Sequence, residues 1–242
     1  MNTLNTNYSD WRSKVIKPAA RLEVGGFRPL GELDASCFGE VRLMHPDEDW
    51  PIYREKPLWP LCQLNLSAAP YRPSNLEDIA LITVFISESY MDMASNVVDC
   101  TDVSPYAGWF LRAYKETGDL VPVTPPTHKS LLRPFEARWD SRVYEDYPTH
   151  DTLPIDFDEL GLGDYYEQSG VGTLDATKLG GWPSCIQSEP WWYFDEEDQK
   201  FEYALQIGSE DKAGWMWGDT GSGFIARSKT NPNYWALDFQ FY

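Results

Sequence analysis

Asp219-Thr-Gly-Ser222 carries the residue order of an aspartic protease motif. That chemistry needs two carboxylates about 3 Å apart that share one proton. No second Asp-Thr-Gly or Asp-Ser-Gly stands in the chain, and Gly218 occupies a flank where the motif prefers an apolar side chain. One carboxylate cannot act as a dyad, so the segment reads as a tight hairpin loop between Trp217 and Phe224. The glycines at 161, 163, 170, 172, 180 and 181 fit neither G-x-G-x-x-G nor G-x-x-x-x-G-K-S/T. Lys178 is the only Lys or Arg between Arg142 and Lys200, too little charge for a phosphate cradle. His45, His128 and His150 sit in no HxH or HExxH pattern and read as loop residues. Cys37, Cys62, Cys100 and Cys185 are far apart and form no CxxC, which argues against zinc. Asp156-Phe-Asp-Glu159 and Asp195-Glu-Glu-Asp198 lack the spacing of a calcium loop. The expectation is therefore no catalytic residue, no cofactor and no metal readable from local spacing. An enzyme whose groups meet only in three dimensions, such as Asp219 with a histidine, stays open.

One segment has the chemistry of recognition. Pro190-Trp-Trp-Tyr-Phe194 runs into Asp195-Glu-Glu-Asp198. Adjacent aromatic rings anchor interfaces, and an acidic run draws a basic partner. Trp191, Trp192, Asp195, Glu196, Glu197 and Asp198 are the expected partner contacts. The competing reading is a solvated loop between two strands, with Trp191 and Phe194 turned inward.

The elements that must position these groups are short. Eighteen Pro and 17 Gly cut the chain into brief segments. Residues 8–24 have loosely helical apolar spacing, interrupted at Pro18, so 1–24 is expected to be a helical extension on a single domain spanning 25–242. Val41–Met44 reads as a short strand, and Leu58–Leu66 as a strand after Pro60. Ile79-Ala-Leu-Ile-Thr-Val-Phe-Ile86 is β-branched and apolar on both faces, the pattern of a central covered strand. Trp109–Tyr114 fits a strand or a short helix. Leu131–Trp139 and Trp235–Tyr242 read as strands, and a short helix is expected near Asp156. Leu61-Cys-Gln-Leu-Asn-Leu-Ser67 before Val84-Phe-Ile-Ser87 resembles Ala204-Leu-Gln-Ile-Gly-Ser209 before Gly223-Phe-Ile-Ala-Arg-Ser228. That weak repeat suggests two related halves, near 25–150 and 151–242.

Composition bounds the partners. Thirty-eight acidic against 20 basic residues give a formal charge of −18. Such a chain repels nucleic-acid phosphates and anionic membranes, and it attracts basic proteins. The same acidity also serves solubility in a chain with 11 Trp and 14 Tyr. Residues 1–10 have no basic start and no apolar run, and Ile79–Ile86 is too short to span a bilayer. A cytoplasmic protein with reduced thiols is expected.

Leu179-Gly-Gly-Trp-Pro183, Leu205-Gln-Ile207 and Trp217-Gly-Asp-Thr-Gly221 resemble the C-terminal signature of the YwqG-like family, a bacterial domain of unknown function. Pro57–Leu66 and Leu81–Ile86 resemble its N-terminal strand pair. The resemblance implies an α+β fold of mostly antiparallel β-sheet, with two related halves forming one compact domain with few short helices. It implies no established activity and no cofactor. Some members resemble immunity proteins encoded beside antibacterial toxins. Together with the charge, this leads to the expectation of a non-catalytic module, an immunity protein that neutralises a basic bacterial toxin. A structural or regulatory subunit is the remaining alternative.

Overall fold

The computed structural model describes residues 12–89, 97–101, 107–127, 130–149, 170–193 and 200–242. The chain forms β1 (Lys17–Val24), β2 (Cys37–Phe38), β3 (Leu43–Met44), β4 (Ile52–Tyr53), β5 (Lys56–Pro57), β6 (Trp59–Asn65), β7 (Leu81–Ile86) and β8 (Val97–Asp99). It continues through β9 (Trp109–Tyr114), β10 (Val121–Pro122), β11 (Phe135–Asp146), β12 (Lys178–Gly180), β13 (Phe201–Gly208), β14 (Ser222–Ser228) and β15 (Tyr234–Gln240). Eleven strands make one sheet in the order β8-β15-β14-β13-β12-β1-β11-β2-β6-β7-β9, and every pairing is antiparallel. The two edge strands, β8 and β9, are joined by residues 100–108, and the sheet curls into a nearly closed, barrel-like layer. Two small antiparallel pairs, β3 with β10 and the hairpin β4 with β5, lie outside it.

The fold is thus mostly antiparallel β. Among the described residues the α-helical part is confined to 12–15, and 66–68, 74–76 and 191–193 form short 3-10 turns. This corrects the helical extension expected up to residue 24. Lys17–Val24 is a strand, paired with β11 on one side and β12 on the other. Its apolar residues Ala19, Ala20 and Leu22 are buried, and a bulge between Ala20 and Leu22 shifts the period that made the segment look helical. Pro18 sits near the start of the strand, where a missing N–H is tolerated. The helix expected near Asp156 lies outside the described residues, as do Trp11, His128, His150 and Phe194.

Other expectations match closely. All six residues of β7 are buried, and the strand lies between β6 and β9. The ambiguous segment Trp109–Tyr114 is a strand, with Leu111 opposite Val84. The strand expected over 131–139 starts later and runs longer, as β11. No helix among the described residues is long and apolar enough to cross a membrane.

The main core runs through strands from both ends of the sheet, including Leu64, Ile82 and Leu111 at one end and Leu205, Ile225 and Leu237 at the other. Each such side chain contributes about 1.5–3 kcal/mol by leaving water. Two smaller clusters each bring a loop onto the sheet. Residues 41–58 bring Val41, Met44 and Leu58 onto Phe85 and Phe110, while the 191–193 turn brings Trp192 onto Phe201, Tyr203 and Phe224.

Candidate binding clefts

The aromatic-acidic segment divides into a buried part and an outer part. Trp192 is 1% exposed and packs on Phe201, Tyr203 and Phe224, so it is a core residue with no surface to offer a partner in this structure. That corrects its expected place among the contacts. Trp191 is partly buried. Its indole Nε1 donates to the Leu237 carbonyl at 3.1 Å, and its amide donates to Asp238 Oδ2 at 3.3 Å. Tyr193, 43% exposed, is the ring of this turn that reaches solvent. Asp195, Glu196, Glu197 and Asp198 lie outside the described residues.

Asp219 sits in the tight turn that its glycines suggest. The Gly221 amide donates to the Trp217 carbonyl at 2.9 Å, and the Tyr242 amide to the Asp219 carbonyl at 3.2 Å. A side chain at Gly221 would collide with the Gln240 carbonyl. The motif therefore follows from close backbone approach between this loop and the end of β15. The Asp219 side chain is exposed, and no described histidine stands beside it. His45 lies elsewhere, 3.7 Å from Asp47. The four cysteines are unbridged. Burial pushes the Cys37 and Cys185 thiols up to about 12 and also raises those of Cys62 and Cys100. Held as neutral thiols, they are poor nucleophiles.

Beside this turn opens a polar cleft of about 730 Å³. Four separate stretches of chain build it, the turn at Thr220–Ser222 among them. The end of β1 supplies Arg21 and Glu23, the lead into β12 supplies Asp175, and the loop after β13 supplies Glu210, Asp211 and Lys212. The Lys212 ammonium is engaged by the Val24 carbonyl and stands 5.5 Å from the centre of the Phe135 ring. Four carboxylates thus face two cations, one of them already held. The cleft suits an arginine or lysine side chain arriving from outside. None of its acids was among the expected contacts, because no local spacing joins residues 23, 175, 210 and 211.

A second cleft, of about 410 Å³, lies across the β1–β11 pair, where Glu23 is directly opposite Arg138. Its walls include Asp34, Ser36, Asn65, Glu136 and Trp139. Glu136 is buried and accepts the amides of Leu30 and Gly31, both at 3.0 Å. Burial opposes its charge, but those two donors, with Arg42 and Arg138, hold its carboxyl below the ordinary glutamate value.

A strand glutamine stands behind each cleft. Gln63 on β6 accepts the amides of Arg42 and Leu43 through Oε1 at 2.9 and 3.1 Å. Its Nε2 donates to the carbonyls of Leu33 and Ala35 at 2.9 and 3.0 Å. Gln206 on β13 accepts the Ser184 amide at 2.9 Å and donates to Asp175 Oδ1 at 3.4 Å and Ser222 Oγ at 3.3 Å. These glutamines organise the loops that form the walls.

A search of curated proteins finds no match to the chain. The family model described as "Domain of unknown function (DUF1963)" matches residues 36–231, a span that holds both glutamines and most of both cleft walls, and the chain belongs to that family.

Proposed function

We propose that this chain is a non-catalytic, acidic binding module of the cytoplasm, and most concretely an immunity protein that captures and neutralises a basic bacterial toxin. The observation that carries this reading is the cleft rimmed by Glu23, Asp175, Glu210 and Asp211 in a chain of net charge −18. Opposite charge accelerates encounter, and a pre-formed acidic cleft gives an arriving arginine or lysine a place to lodge. The acids Asp195–Asp198, which follow Trp191 and Tyr193 in the sequence, add to the same negative charge. Within the family, we read the residues quoted above as a resemblance to the YwqG-like members.

We also read the fold as two related halves. Leu33-Asp-Ala-Ser-Cys-Phe-Gly39 and Leu174-Asp-Ala-Thr-Lys-Leu-Gly180 repeat one pattern. Each leads into a short strand followed by a longer strand with a glutamine in the same row. On this reading β1 and β11 are equivalent and exchange partners, since β2 pairs with β11 and β12 with β1. The two clefts are then one recognition surface made twice.

The test has two steps. The tagged protein is used to capture partners from its native lysate at low and high salt. The captured basic protein is then expressed with and without this chain. Toxicity that this chain relieves supports the reading. Replacing Glu210, Asp211 and Asp195–Asp198 with Ser or Asn should slow association about tenfold or more at low salt and flatten its salt dependence. A captured protein that is harmless when expressed alone would remove the immunity role, and an unchanged on-rate would remove the cleft.

A further inference from the structure

At the opposite end of β1 from the acidic cleft lies a pocket of different character. It encloses about 300 Å³, and its walls carry four aromatic rings: Tyr71, Tyr193, Phe201 and Tyr203. Lys17 and Lys229 stand at its margin, with Glu202 as the one carboxylate among its described lining residues. In a chain of net charge −18 this is a local surplus of positive charge.

The pocket is built rather than incidental. Asn75 Nδ2 donates to the carbonyls of Glu202 and Tyr203 at 3.3 and 3.2 Å, pinning the 71–76 loop onto β13. Arg227 ties the same loop down through Asp78 and the Asn75 carbonyl, the latter at 2.7 Å. A bulge between Tyr203 and Leu205 turns β13 at this point, a device common where a strand presents a side chain to a site. Gly180 brings the facing backbone close, since a Cβ there would stand 2.8 Å from the Tyr71 ring. The Lys17 ammonium is set 3.4 Å from the centre of the Trp182 ring, which fixes its position beside the pocket.

Of the ten buried side-chain polar atoms left without a partner among the described residues, the Tyr203 hydroxyl belongs to a residue of this pocket's wall. Tyr203 is 8% exposed, and its hydroxyl is buried with no hydrogen-bond partner among the described residues. A buried hydroxyl without a partner costs about 1–3 kcal/mol, and such groups are uncommon unless something completes them. Tyr203 is a wall residue of this pocket, together with Lys17 and Lys229, and its hydroxyl lies beneath the surface. Small-molecule sites likewise combine ring walls with a few convergent polar groups.

We propose that this pocket binds a small organic anion with a flat ring, an aromatic carboxylate or phosphate monoester. The ring stacks among Tyr71, Tyr193 and Phe201. The anionic group is held by Lys17 and Lys229, and the Tyr203 hydroxyl donates to it. The site is separate from the acidic cleft, because it shares no lining residue with that cleft and offers the opposite charge.

Calorimetric titration of the full chain at low ionic strength tests this. The probes are 1-naphthoate, phenyl phosphate, the neutral 1-naphthalenemethanol and the cation 1-naphthylmethylammonium. The two anions should bind with Kd on the order of 0.1–1 mM, and the neutral alcohol about tenfold more weakly. Lys229→Met changes an exposed residue and leaves the fold intact, and it should weaken anion binding about three- to tenfold. Tyr203→Phe should weaken it to a similar degree while keeping the ring. Glu210→Gln, in the acidic cleft, should leave anion affinity unchanged. Equal or tighter binding of the neutral or cationic probe would overturn the proposal. So would the absence of binding by both anions at millimolar concentration, or affinities that Lys229→Met leaves untouched.

Discussion

Two rows of residues cross the sheet on either side of the β1–β11 pair, and they hold their loops by different chemistry. In one row Glu136, Cys37 and Gln63 are direct cross-strand neighbours, and in the other Arg21, Lys178 and Gln206 are. The glutamine is common to both. The middle residue is not. Cys37 is a buried neutral thiol and needs no counter-ion, and the carboxylate of Glu136 gathers the loop amides of Leu30 and Gly31, with Arg42 and Arg138 each 3.6 Å away. Lys178 is a fully buried cation, and its row must borrow Asp146 from the far end of β11, at 2.8 Å and equally buried. Burial lowers the Lys178 pKa despite that partner. Asp146 also accepts the Trp182 amide at 2.8 Å, and Gly181 lacks the side chain that would collide with it. The lesson is that one framework tolerates a neutral or an ionic centre, and the ionic one commits many more groups to a single bond.

The largest effect should come from breaking that commitment. Asp146→Ala leaves a buried ammonium alone and should cost about 3–5 kcal/mol in urea unfolding. The double variant Asp146→Leu with Lys178→Met removes both charges and should recover most of the loss. A double variant no better than the single one would mean that the ion pair is not what separates the rows.

A smaller cost, about 1–3 kcal/mol at neutral pH, is expected for Glu136→Gln. Its pH dependence carries the sharper information. The folded-state pKa of Glu136 lies below the ordinary value of 4.5. Its contribution is therefore fully present above that value and is lost as pH falls through the lowered one. The variant should lose less stability than the parent between neutral pH and strong acid. An unchanged acid limb would show that other carboxylates govern it.

The smallest difference should separate the two glutamines. Gln63→Leu gives up four bonds of 2.9–3.1 Å and should cost about 1–3 kcal/mol. Gln206→Leu gives up one of 2.9 Å and two longer ones, and should cost about 0.5–1.5 kcal/mol. Matched thermal melts of the two variants check the order, and a reversed order would tie Gln206 to the ionic row more tightly than its own bonds imply.

Much of the sheet is legible in the amino-acid order. Ile79–Ile86 and Leu58–Leu66 announce themselves as strands, and Asp219-Thr-Gly-Ser222 as a turn, because each is decided by local pattern. β1 is not legible, since a bulge and a proline blur its period and its place is set by two strands far along the chain. On the reading of two related halves, the match of Phe85-Ile86 with Phe224-Ile225 is two residues out. In register, Gln63 faces Thr83 whereas Gln206 faces Phe224. The clearer signal, Asp34-Ala-Ser36 against Asp175-Ala-Thr177, lies outside the strands on which that comparison rests. Trp192 illustrates a further limit: an aromatic beside an acidic run reads alike whether it faces a partner or the core. The acidic cleft was out of reach because its carboxylates come from three distant stretches.

The place of β1 governs how the molecule can assemble. It lies early in the chain, yet its hydrogen-bonding partners begin only at Ala137 and Thr177. The middle of the sheet therefore closes through contacts of high sequence separation, which is the slow way to fold. While the chain emerges from the ribosome, β1 must wait, both edges unpaired, until most of the protein has been made. During that interval its exposed edges can pair with other chains, so yield in the cell depends on how fast β11 and β12 arrive to claim it.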